Sequence, residues 1–151
     1  LSKKNILKIQ NIIEEVKQFG GGNKMLEHKH LILKGNMTNK VDVSTVEKWL
    51  KKLVKILDME LIPEFPNNPN VAYVDGENSG VTGCALITTS HIILHTWDES
   101  LDFQLDVYSC KNYDPHKVIS HCSDINLTVT SNRFFDRKYS IIDIKRGDYK
   151  S

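Results

Sequence analysis

The run from Val81 to Cys110 constrains the fold more than any other part of this chain. It is dense in strand formers, and residues 84–88, 91–97 and 103–110 read as three consecutive strands divided by short connectors. Around this run, residues 30–33 form a short β-like stretch. Residues 59–65 read as a strand that leaves the sheet at the turn cluster Pro66-Asn67-Asn68-Pro69. Residues 71–74, 125–130 and 139–144 supply further strands. Between them, residues 43–57 place Val46, Trp49, Leu50, Leu53, Val54 and Leu57 on one helical face, with lysines opposite. Asp42 or Ser44 serves as the N-cap, and Glu47 stands three after Ser44 as in a capping box. Residues 115–122, with Pro115 in the first turn, predict another helix. This order predicts an α+β fold: a two-layer sandwich with a mostly antiparallel sheet covered on one face by helices.

Upstream, residues 3–18 place Ile6, Leu7, Ile9, Ile12, Ile13 and Val16 on one side of a helix, and Gly20-Gly21-Gly22 ends it. Residues 1–24 therefore read as an appended amphipathic helix with a glycine hinge, and 25–151 as the compact domain.

Composition narrows the function classes. A chain of 151 residues with 40% hydrophobic residues can bury one core. Twenty Lys and Arg nearly balance 19 Asp and Glu, so no nucleic-acid partner is expected. No apolar run is long enough to span a bilayer, and the start lacks the features of a secretory signal; a cytoplasmic protein without a membrane partner is expected. The three cysteines Cys84, Cys110 and Cys122 offer neither a disulfide framework nor a C-x-x-C knuckle. His28 and His30 alternate, and His91 and His95 sit four apart, but no partner falls at a zinc spacing, so no metal site is expected.

The chemistry is concentrated in one segment. It runs Gly80-Val81-Thr82-Gly83, then Thr89-Ser90-His91, three apolar residues, and His95-Thr96-Trp97-Asp98-Glu99. Asp106-Val107-Tyr108-Ser109-Cys110 follows. In this order and at this spacing it resembles the self-processing core of the pyruvoyl-dependent S-adenosylmethionine decarboxylase family of bacteria and archaea. That family has Gly-Val-Ser/Thr-Gly, Glu-Ser-His, His-Thr-Trp-Pro-Glu and Asp-apolar-aromatic-Ser/Thr-Cys.

The resemblance implies that Ser90 attacks the carbonyl of Thr89, converting an amide into an ester. Loss of the Ser90 α-proton then expels the Thr89 carboxylate, and hydrolysis leaves a pyruvoyl cofactor made from Ser90. By the same resemblance His95 is the base for the elimination and Thr82 is the processing hydroxyl. Cys110 returns a proton to the product carbon, a task suited to a thiol. Glu99 lines the pocket for the substrate, S-adenosylmethionine, and Phe65 and Tyr73 are the candidates to stack on its adenine. The resemblance also implies that the product feeds spermidine synthesis. The family's small members are homodimers with pockets at the subunit interface, so a homodimer or higher homo-oligomer is expected.

Two departures stand out. Thr89 replaces the family glutamate before the cleaved serine, and Asp98 replaces the proline after Trp97. They motivate two other readings: a pyruvoyl-dependent decarboxylase of ornithine or arginine, and an unprocessed homologue acting as a binding or regulatory subunit. Taken singly, Trp97 and Tyr108 read as core or pocket-wall aromatics, and Cys84 and Cys122 as small buried side chains.

Overall fold

The structure, a computed structural model, describes residues 27–140. The helix expected over 3–18 and its glycine hinge lie outside the described residues. Six strands form one sheet: β1 (Lys29–Met37), β2 (Asn70–Val74), β3 (Gly80–Ile87), β4 (Ser90–Trp97), β5 (Asp102–Ser109) and β6 (Leu127–Asp136). Their order is β2-β3-β4-β5-β1-β6, and every pairing is antiparallel. Two helices, α1 (Val43–Ile56) and α2 (Pro115–Cys122), accompany the sheet, so the α+β expectation holds.

Strand alternation decides where the core sits. Val81, Ala85 and Ile87 on β3, Ile92 and Leu94 on β4, and Phe103, Leu105 and Val107 on β5 are fully buried with Val46, Leu50 and Leu53 of α1. The intervening residues point to the other face, which none of the described helices fills: Thr82, Cys84, His91, Ile93, His95 and Trp97 are only partly buried there. The motif glycines now have a packing reason. A Cβ at Gly83 would lie 2.9 Å from both Val46 and Leu50, and one at Gly80 would lie 1.9 Å from the Thr96 carbonyl oxygen. Gly83 thus lets α1 settle on β3, and Gly80 lets β3 close on β4.

The helix start is the Asp42 option: Asp42 accepts from the Thr45 N–H at 2.7 Å, while Glu47 pairs with Lys51 instead of closing a capping box. Trp49 Nε1 donates to the His121 carbonyl at 2.9 Å, and His121 Nε2 lies 3.0 Å from the Trp49 carbonyl, which ties α1 to α2.

Two expected strands are corrected. Residues 59–65 form no strand; Leu61 makes a single bridge to Ile87. Ile62 N donates to Leu86 O and Thr88 N to Glu60 O, but Pro63 has no N–H to extend the pairing, and the Asn68 carboxamide shares Leu86 O at 2.6 Å and accepts from Leu86 N at 3.0 Å. Residues 139–144 do not begin as a strand either. Arg137–Ser140 is a helical turn, α3, opened by Asp136 accepting from the Lys138 N–H at 2.9 Å; residues 141–144 lie outside the described residues. The strand expected over 125–130 instead runs Leu127–Asp136, and its outer half is exposed and so carries no apolar alternation to read.

Candidate active site

The short connector Thr88-Thr89 joins β3 to β4 and brings Ser90 opposite both Ile87 and Ser109. Ser90 holds φ at +153°, a region that side chains rarely adopt and that costs on the order of 1–3 kcal/mol. The carbonyl immediately before it, that of Thr89, accepts the Cys110 N–H at 3.0 Å. The junction between residues 89 and 90 therefore combines a strained residue with a polarised carbonyl. Both are useful to a serine attacking its own preceding amide.

The hydroxyl of Thr89 is held as well. Ser109, fully buried at the end of β5, donates to Thr89 Oγ1 at 2.9 Å and accepts from the Lys111 N–H at 3.0 Å. Ser109 escaped the sequence reading as a functional residue. Its signal was a polar side chain continuing the core-facing alternation Phe103, Leu105, Val107. On the outer side of the connector a cavity of about 470 Å³ is lined by Lys55, Asp58, Glu60, Thr88, Thr89 and Lys111, with Lys111 Nζ 2.9 Å from Asp58.

Thr82 and His95 form a second centre on the open face. They are direct cross-strand partners, and Thr82 Oγ1 lies 2.5 Å from His95 Nδ1. The His95 ring packs edge-on against Trp97, 4.3 Å between centroids. Five residues of extended β4 separate His95 from Ser90, a span of roughly 16 Å. Within one chain, then, Thr89, Ser90 and Cys110 meet, whereas Thr82 and His95 meet elsewhere.

The remaining candidates scatter. Glu99 is exposed in the turn after β4, and it is Asp98 that is buried, 6% exposed. Asp98 accepts from Tyr73 OH at 3.1 Å and lies 3.7 Å from Lys40 Nζ. Tyr73 is half exposed on β2 opposite Val81, hence on the helix side of the sheet and away from His95. Phe65 is exposed in the turn before β2. Beside Ser90, the open face carries an array missed by the sequence reading: Asp106 lies 2.8 Å from His30 Nε2 and 3.0 Å from His91 Nε2.

Electrostatics separate the thiols. Burial pushes the Cys122 thiol up to about 12, away from proton exchange near neutral pH, and also raises that of Cys84. Cys110 is partly exposed beside the Thr89–Ser90 junction.

Comparison with known proteins places the chain. The sequence model of the family described as S-adenosylmethionine decarboxylase matches residues 30–147. The S-adenosylmethionine decarboxylase proenzyme of Clostridium botulinum strain Hall is 30% identical over 101 residues, 66% of this chain and 74% of the relative. The proenzyme of strain Langeland is 29% identical over the same shares. Among solved structures, the adenosylmethionine decarboxylase of Aquifex aeolicus vf5 shares the fold, with a TM-score of 0.54 and 20% identity over 82% of this chain and 99% of that one.

Proposed function

This chain belongs to the S-adenosylmethionine decarboxylase family, and from that premise we propose that it is a self-cleaving proenzyme whose mature form decarboxylates S-adenosylmethionine for spermidine synthesis. The observation that carries the reading is the junction between residues 89 and 90: Ser90 at φ +153° following a carbonyl already held by the Cys110 N–H.

The first steps follow from the chain's own atoms. Ser90 Oγ adds to the Thr89 carbonyl carbon, and the charge that develops on the carbonyl oxygen is met by the Cys110 N–H. Breaking the Thr89–Ser90 amide bond leaves an ester and releases the strain stored at Ser90. Removal of the Ser90 α-proton then expels the Thr89 carboxylate, and the dehydroalanine left behind is hydrolysed with loss of ammonia. The residues at the junction fit a pyruvoyl group at position 90, because the hydrogen-bond donor and the strained backbone stand on either side of the bond that must break. That group supplies a conjugated ketone that withdraws electrons as carbon dioxide leaves. Cys110, adjacent in space, returns a proton to the product carbon.

The span between Ser90 and His95 adds a structural requirement. The roughly 16 Å of strand between His95 and its own Ser90 supports action of the Thr82–His95 pair on the serine of a second copy. The partly buried open face, with Ile32 42% exposed, supports homodimer formation through the sheet.

Intact-mass spectrometry of purified protein tests the reading. The expected result is two fragments broken between Thr89 and Ser90, the downstream one beginning with pyruvoyl, and a single intact chain for Ser90→Ala. Carbon dioxide release is then expected with S-adenosylmethionine and not with ornithine or arginine. A chain that stays whole after long incubation would instead support the non-catalytic homologue.

A further inference from the structure

We propose that Ser109 is a positioning residue for self-cleavage, its buried hydroxyl clamping Thr89 so that the scissile carbonyl stays on the Cys110 N–H. The inference rests on the self-cleavage reading above and assigns a part in it to a residue outside the Ser90, His95 and Cys110 set.

Ser109 is fully buried, and a buried hydroxyl is costly unless it is bonded. Here both of its capacities are used: it accepts from the Lys111 N–H at 3.0 Å and donates to Thr89 Oγ1 at 2.9 Å. Thr89 is thereby attached to the end of β5 at two points, its side chain to Ser109 and its carbonyl oxygen to Cys110 N at 3.0 Å. Two attachments fix the peptide plane between Thr89 and Ser90. With only one, Thr89 is free to turn, the carbonyl leaves its donor, and φ of Ser90 relaxes from +153°. The residue at the departure from the family pattern, Thr89, is thus the one whose side chain the clamp holds.

The test follows self-cleavage of the full-length chain by intact mass for the unmodified protein, Ser109→Ala, Ser109→Thr, Thr89→Val and the Ser109→Ala/Thr89→Val double variant. Ser109→Ala and Thr89→Val are each expected to slow cleavage by about five- to tenfold, the size one hydrogen bond supplies. The double variant is expected to be no slower than the slower single one, and Ser109→Thr to stay within about threefold of the unmodified rate. Thr89→Val cuts the same bond without touching the core, which keeps the test sound where Ser109→Ala fails to fold. A second readout needs no cleavage: in Ser90→Ala protein, adding Ser109→Ala is expected to speed amide hydrogen exchange at Cys110. Unmodified cleavage in Ser109→Ala, independent effects that multiply in the double variant, or unchanged Cys110 exchange would overturn the proposal. A chain that never cleaves, yet loses Cys110 protection in Ser109→Ala, overturns the self-cleavage reading and leaves the clamp standing.

Discussion

Cys110 contributes two chemically separate groups, and they can be told apart by substitution. Its backbone N–H holds the Thr89 carbonyl at 3.0 Å, while its thiol is assigned to product protonation. Cys110→Ala keeps the first and removes the second. The expected outcome is a chain that still cleaves by mass but releases carbon dioxide at least about 100-fold more slowly, the lower end of what a positioned proton donor contributes. Loss of cleavage in that variant would mean that the thiol, and not the N–H, serves the first step. At this scale the sequence was informative wherever a residue's role depends on its neighbours in the chain. Thr89 and Ser90 belong to this class; the motif glycines do not, since Gly83 makes room for Val46 and Leu50 and Gly80 for Thr96. Asp98 shows the opposite case. It continues the core-facing alternation Ile92, Leu94, Thr96, but its partners Tyr73 and Lys40 come from distant segments that the chain does not reveal.

Among the elements, α1 controls how well one face of the sheet is sealed. The Thr45 N–H holds the Asp42 carboxyl below the usual carboxylate range. The folded chain therefore binds that proton more weakly than the unfolded one. The stabilisation is full above the ordinary carboxylate value, about 4, and is lost as pH falls through the depressed one. Asp42→Ala is expected to lower the melting temperature at pH 7, with the gap to the unmodified protein closing toward about pH 3. Thermal melts at the two pH values check this; a gap that persists in acid would place the effect in packing. At the other end of the contact, Trp49→Phe removes the donor to the His121 carbonyl in a buried setting. Urea unfolding is expected to show a loss of about 1–3 kcal/mol, the cost of an unsatisfied buried acceptor. Both helices were legible because their apolar spacing and caps are local. The strand expected over 59–65 shrinks to one bridge: Ile62 N and Glu60 O still bond the end of β3, but Pro63 has no N–H to carry the pairing on and the Asn68 side chain holds Leu86 N, a substitution that leaves no periodic trace.

For the whole molecule, the decisive fact is the separation of the Thr82–His95 pair from Ser90 along one strand. If two copies complete each other's site, two inactive variants must rescue one another. His95→Ala and Ser90→Ala proteins are each expected to stay intact alone. When the two are co-expressed, the His95→Ala chain, which keeps its serine, is expected to cleave in mixed dimers, while the Ser90→Ala chain stays whole. Absence of any fragment from verified mixed dimers would rule out action between copies. By itself, the sequence determined the α+β class, both helices, and the run of strands from β3 to β5. Each of these rests on alternation, capping or adjacency, which are properties of short stretches of chain. Only the tertiary structure decided that β1 enters between β5 and β6, that Ser109 grips Thr89, and that His95 stands apart from Ser90. Those outcomes depend on sheet order and register between distant segments, and the distance between two side chains on one strand has no meaning until it is known what lies across from each.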